Sequence, residues 1–269
     1  MIGFNYLGKL GQLGNQMFQY ASLKGIANQN GYNYCIPNHN EIFEDGLGNR
    51  LHIELFKPFV LENFSDLNVQ LIDKDRPVVQ EGSFHFNEEL FNNCPDWVCL
   101  HGFFQTEKYF KNIEQEIRED FRFNDDILIP CKEMMDEFGE PPLSLHIRRG
   151  DFLINSANHH NLGLDYYEKA LAEFPMEVPV LIFSDDPEWC SKQELFADDR
   201  FLVAEGNSPY VDMCLMSLCE GHIIANSSFS WWGAWLANSQ KVVAPSVWFG
   251  PNNAHLDIKD LYLDHWEVI

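Results

Sequence analysis

Between residues 143 and 244 the chain alternates short apolar runs with helical patterns. The runs fall at 143 to 147, 178 to 184, 201 to 204, 222 to 225 and 241 to 244, and the helical patterns at 163 to 174, 187 to 196, 209 to 220 and 229 to 238. This alternation leaves few folds open, because strands joined through helices lie parallel and need helices on both faces to cover them. It predicts a doubly wound α/β domain with its ligand at the carboxyl ends of the strands.

The first half is less regular. Residues 2 to 7 read as a strand, Gly11 and Gly14 punctuate a loop, 15 to 30 carry a helical pattern that Gly31 stops, and 32 to 37 read as a second strand. That is a β-loop-α-β opening of the kind that builds parallel sheets. Further on, 98 to 104 reads as an aromatic-rich strand, 107 to 121 as an amphipathic helix, and 44 to 50 as a surface excursion. The segment Glu137-Phe-Gly-Glu-Pro-Pro142 breaks the pattern, since consecutive prolines cannot continue a helix. The chain is therefore divided into an α/β domain at 1–140 and a doubly wound α/β domain at 141–269, the last residues of which are allowed to pack back on the first.

Charge narrows the partners. The 269 residues hold 41 acidic against 18 basic side chains, a net charge of -23. Nucleic acid and anionic membrane surfaces are disfavoured, because phosphate backbones bind basic faces. The seven cysteines show no Cys-x-x-Cys pair, which suits reduced thiols in a cytoplasm-like compartment. Met-Ile-Gly-Phe-Asn-Tyr is not a signal-peptide start. Residues 221 to 240 are uncharged and as long as a membrane span, yet their serines and asparagines mark them as strand and helix, so no integral membrane segment is expected.

Against that acidity, Leu143-Ser-Leu-His-Ile-Arg-Arg-Gly-Asp151 stands out. An apolar strand delivers His146, Arg148 and Arg149 into a turn, a local cationic pocket that could hold a diphosphate through forked, charge-assisted hydrogen bonds. An Arg–Asp salt bridge at the strand end, with Asp151 neutralising Arg149, is the competing reading. Three further constellations lie between strands and helices. Gly11-Gln-Leu-Gly-Asn-Gln16 offers a close backbone approach and a helix N-terminus, with Asn15 or Gln16 either in a cleft or, for Asn15, a plain N-cap. Asn226-Ser-Ser-Phe-Ser-Trp-Trp-Gly-Ala-Trp-Leu236 sets Ser227, Ser228 and Ser230 before a helix, for an anion or for capping by Ser228, while its tryptophans read as packing. Phe183-Ser-Asp-Asp-Pro-Glu-Trp-Cys190 puts Asp185 and Asp186 ahead of a helix that one of them caps. Asp212, near a helix start, either reads a guanine edge or favours the helix dipole.

In this order these motifs, with Gly102-Phe-Phe-Gln-Thr-Glu-Lys-Tyr-Phe110, closely resemble the α-1,2-fucosyltransferases of glycosyltransferase family 11 over nearly the whole chain. The resemblance implies two Rossmann-like domains facing a cleft, the glycosyltransferase B type, with GDP-fucose as donor bound by the second domain and a galactose-terminated oligosaccharide as acceptor on the first. It implies that Arg148 grips the β-phosphate, with Arg149 and His146 in support. Ser227, Ser228 and the Phe229 amide would cradle the phosphates, Asp185 would lie at the donor site, Asp212 would read guanine, and Asn15 would reach the leaving group. The implied chemistry is inverting transfer of fucose to O-2 of a terminal galactose. Related α-1,6 enzymes carry a glutamate soon after the arginines, but Leu153 to Asn158 holds no acid, which leaves Asp151 and His159 as candidate bases. Asp73-Lys-Asp75 matches the manganese-holding Asp-x-Asp of transferases of another fold, without a second ligand nearby, so neither metal nor cofactor is expected. The expected setting is cytoplasmic, or peripheral to the inner membrane through a lipid-linked acceptor.

Overall fold

The computed structural model describes residues 1–44 and 50–269. The expected excursion at 44 to 50 lies mostly outside the described residues. The chain divides into two compact units, Met1–Asn124 with Asp257–Leu261, and Asp125–Leu256 with Tyr262–Ile269.

Unit 1 contains β1 (Ile2–Gly3), α1 (Leu13–Gln29), β2 (Tyr34–Cys35), the antiparallel pair β3 (Phe43–Glu44) and β4 (Arg50–Leu51), β5 (Val78–Gln80), α2 (Glu88–Asn93), β6 (Val98–His101) and α3 (Glu114–Asp120). Its main sheet is parallel throughout, in the order β2-β1-β6-β5. The strands are shorter than their sequence runs because the chain turns early. Residues after Gly3 enter turns, and beyond His101 both Gly102 and Phe104 take positive φ, 154° and 53°. α1 begins two residues before the expected start, and almost every residue from Leu13 to Ala27 is buried. A helix hidden on all sides must satisfy its polar side chains internally. Gln19 accordingly donates to the carbonyls of Leu10 and Gly102, Ser22 to that of Phe104, and Lys24 pairs with the fully buried Asp120. The helix expected over 107 to 121 is instead two 3-10 turns and α3. The backbone of Tyr109 and Phe110 lies directly against Gly25 of α1, where a Cβ would collide with it, and both side chains are fully buried.

Unit 2 contains α4 (Asp125–Asp136), β7 (Leu143–Ile147), α5 (Gly150–Ile154), α6 (Leu164–Leu171), β8 (Val180–Ser184), α7 (Pro187–Cys190), β9 (Phe201–Val203), α8 (Pro209–Ser217), β10 (Gly221–Ile223), α9 (Ser228–Leu236), β11 (Lys241–Ala244) and β12 (Glu267–Val268). The division falls after Asn124, ahead of the proline pair taken as the boundary, because α4 packs on α8 and so joins the second unit. The stretch grouped with unit 1 is 257–261, where Asp260 accepts from the Phe86 amide and pairs with Lys108; the last residues instead form β12 beside β11. The five expected strands are all present, and β12 adds a sixth. The sheet is parallel, ordered β12-β11-β10-β7-β8-β9. Counted from β7, that is the 3-2-1-4-5-6 arrangement, whose order reverses between the first and fourth strands. The reversal lies between β7 and β10. Beneath it, Leu145, Ile147, Ile182, Ile223 and Val243 form a core with Tyr166, Tyr167 and Cys190.

Candidate active site

The crevice of such a sheet opens where its order reverses, so the segments leaving β7 and β10 define the site. His146 is the fourth residue of β7 and is 5% exposed. Its Nδ1 lies 2.9 Å from Ser230 Oγ on α9, a bond that ties the two central strand ends together. Burial, aided by the Arg148 charge, pushes His146 down to about 3, so the ring is neutral near pH 7. It therefore adds no positive charge to the site.

Arg148 and Arg149 follow in the turn into α5. Arg148, and not Arg149, bonds Asp151 Oδ1 at 2.5 Å, since the Arg149 Nε is turned toward Asp186; Arg148 also bonds Asp185 Oδ2 at 2.8 Å. Arg149 donates its backbone N–H to Asp185 at 2.8 Å and its Nε to Asp186 at 3.0 Å, and its guanidinium lies 3.8 Å from the centre of the Trp189 ring. A Cβ at position 150 would strike the Asp185 carboxylate, so glycine is what lets the turn close over it. The expected cationic pocket is thus compensated, two guanidiniums facing Asp151, Asp185 and Asp186. Arg149 is held between Asp186 and the Trp189 ring, and Arg148 between Asp151 and Asp185.

From β10 the chain runs through Ala225 and Asn226 into α9. Asn226, 3% exposed, donates to the carbonyls of His160 and Trp248 at 2.9 and 2.8 Å, pinning the 155–162 segment. Ser227, not Ser228, is the N-cap: its Oγ accepts from the Phe229 N–H at 3.3 Å. Trp231, Trp232 and Trp235 are at most 1% exposed, with Trp232 edge-on to the other two, so they pack and do not present a platform. Asp186 caps α7 by accepting from the Trp189 N–H. Ser208 caps α8, and Asp212 in its first turn accepts from Asn207 Nδ2 at 3.0 Å; burial raises its carboxyl above the usual range against that bond.

His159 stacks flat on Phe152, 4.1 Å between centroids, and bridges to Phe249. Burial lowers it, opposed by Asp151 and assisted by Arg148. Asp151 is exposed and bound to Arg148. In unit 1, Asn15 lies within the first turn of α1, whose N-cap is Gln12, so the capping reading does not hold. Its Oδ1 accepts from Gln105 Nε2 at 2.7 Å. Gln16 is spent on the fold, bonding Gly11, His52 and Glu54. Asp73 and Asp75 are exposed, and no cluster of three metal-ligating side chains occurs among the described residues. No helix among them is long and apolar enough to cross a membrane. Sequence reasoning missed Gln105, Glu81 and the His146–Ser230 bond, which have no signature of spacing because their partners are distant in the chain.

A family model described as glycosyl transferase family 11 matches residues 2–269. The chain belongs to glycosyltransferase family 11. Within the family it is 35% identical to an α-1,2-colitosyltransferase of Escherichia coli over 89% of this chain and 90% of that protein. It is 23% identical to human galactoside α-(1,2)-fucosyltransferase 1 over 86% of this chain, spanning 65% of that longer protein. The solved structure of POFUT1 in complex with GDP-fucose aligns with a TM-score of 0.56 at 11% identity, covering 88% of this chain and 94% of that one. At that identity the likeness shows the fold, two Rossmann-like units of the glycosyltransferase B type. The family 11 assignment makes the chain a glycosyltransferase, of the family to which the galactoside α-1,2-fucosyltransferases belong.

Proposed function

We propose that the protein transfers L-fucose from GDP-fucose, with inversion, to O-2 of a terminal galactose in an oligosaccharide or glycolipid precursor. The observation that carries this reading is Arg148 at the order reversal of a 3-2-1-4-5-6 sheet, beside the start of α9, in a family 11 chain. Charge builds on the β-phosphate as the sugar–oxygen bond breaks, and a fixed guanidinium with a helix N-terminus neutralises it without a metal. A diphosphate would displace Asp151 from Arg148. It would also replace the long Ser227–Phe229 capping bond, which costs little to give up. In this reading Ser227, Ser228 and Phe229 cradle the phosphates, His146 and Arg149 hold the turn, Asp185 aligns Arg148, Asp212 takes the guanine edge, and Asn15 meets the leaving group.

Asp151 or His159 receives the acceptor proton. Because His159 is held below the usual histidine range, it is neutral at pH 7 and able to accept. If it is the base, kcat/KM falls on the acidic side, at a pH below that at which an ordinary imidazole titrates, and His159→Ala removes that limb. A profile unchanged in the variant leaves Asp151. A second reading has a specific basis in the 35% identity to the colitosyltransferase: the sugar moved is the 3-deoxy analogue of fucose. The deciding experiment incubates the protein with GDP-fucose or GDP-colitose, with and without lactose and with EDTA present, and measures GDP release and product linkage. Acceptor-dependent release insensitive to EDTA, giving a 1,2-linked product, is expected. No acceptor-dependent release from either donor would point to a non-catalytic binding protein.

A further inference from the structure

Asn15 and Gln105 come from opposite ends of unit 1 and meet at the carboxyl ends of its two central strands. Asn15 follows β1 in the first turn of α1, and Gln105 follows β6. Gln105 is 7% exposed and gives its Nε2 to Asn15 Oδ1 at 2.7 Å. The Asn15 Nδ2 lies against Gly11, where a Cβ would collide with it and where φ is 87°. Turning the Asn15 amide alone by half a turn would set its N–H groups against those of Gln105. The turn that supplies Gln105 is itself held. Phe104 takes the left-handed φ of 53°, uncommon for an aromatic residue, and the Glu81 carboxylate accepts the amides of Phe103 and Phe104 at 2.7 and 2.9 Å.

We propose that Gln105 is a positioning residue for the transfer reaction: it sets which way the Asn15 amide points, and the Glu81-clamped turn places the backbone from which Gln105 reaches it. The inference rests on the reading of Asn15 as the group that meets the leaving diphosphate. Orientation is where such a device acts, since a small misplacement of a reacting group costs rate and leaves binding nearly unchanged.

The test uses Gln105→Glu, Gln105→Leu, Asn15→Ala and the double variant Asn15→Ala/Gln105→Leu, each melted to check folding and assayed for kcat and for KM toward GDP-fucose. The carboxylate of Gln105→Glu keeps shape and accepts a hydrogen bond, so it holds the Asn15 amide turned the wrong way. Gln105→Glu is expected to melt near the parent while losing roughly 10- to 100-fold in kcat, with KM changed by less than about threefold. Gln105→Leu is expected to lose a similar factor in the parent and less than about twofold in the Asn15→Ala background, because two residues acting as one unit are not additive. Equal losses in both backgrounds, or a Gln105→Glu variant with parental kcat, would overturn the inference while leaving the proposed activity standing. A parent that turns over neither GDP-fucose nor GDP-colitose would sink the functional reading, and the inference with it.

Discussion

Arg148 is the residue on which the proposed chemistry turns. It bridges Asp151 and Asp185 with two nitrogens of one guanidinium, a geometry that a lysine cannot copy. Arg148→Ala is expected to lower kcat by at least roughly 100-fold, and Arg148→Lys to recover only a small part of it, read as steady-state GDP release. Glu81 offers a separate test. Burial raises its carboxyl to about 7 against the pull of the Phe103 and Phe104 amides, while in the unfolded chain it titrates near about 4.3. Between those values the folded protein keeps a proton that the unfolded chain has lost, so this group's contribution to stability falls as pH rises from about 4.3 to about 7. Melting at pH 4.5 and 7.5 should show Glu81→Gln gaining on the parent at the higher pH; parallel shifts would refute the perturbed carboxyl. The arginine pair was visible in the chain as an isolated basic spot. A salt bridge to Asp151 was visible too, but the approach of Asp185 and Asp186 was not, because both arrive from the end of β8.

At the scale of elements, α1 is the unusual piece. Fourteen of its residues are buried, so its polar side chains lace it to the surrounding loops and cannot be solvated. Lys24 is paired with Asp120, which also accepts from Tyr20 Oη and from the backbone and side chain of Asn63. Removing one partner strands the other charge in the interior. Lys24→Met should therefore destabilise by about 3 to 5 kcal/mol in urea unfolding, and Lys24→Met/Asp120→Asn should be less destabilised than the single variant. An additive double variant would show the pair to be uncoupled. The helical spacing of Met17, Tyr20, Leu23 and Ile26 was enough to foresee α1. The break in 107–121 was not foreseeable, because the local pattern favours a helix while the close approach of the Tyr109–Phe110 backbone to Gly25 of α1 is a contact between distant segments.

For the whole molecule the consequential fact is strand order. The 3-2-1-4-5-6 arrangement brings the turn after β7 and the helix after β10 side by side, although Arg149 and Ser228 are far apart in the chain. The same packing buries two histidines in neutral form, His146 near 3 and His222 near 4, both through burial. An unfolded chain protonates them near about 6.5, so as pH falls from there toward 4 it takes up protons that the fold refuses, and stability drops. The fall in Tm between pH 6.5 and 4.5 should be shallower in His222→Leu, which carries one such group fewer; an identical slope would count against neutral burial.

The amino-acid sequence by itself determined the α/β class, the strands of the second unit, the family and the positions of the motifs, because hydrophobic period and turn residues are local properties. Tertiary structure decided what those motifs touch. That Ser227 caps α9, that α4 belongs with the second unit, that His146 is a neutral partner of Ser230, and that Gln105 holds Asn15 all follow from contacts between segments far apart in the chain. Such contacts exist only once the sheets have brought their strand ends together, and no local pattern encodes them.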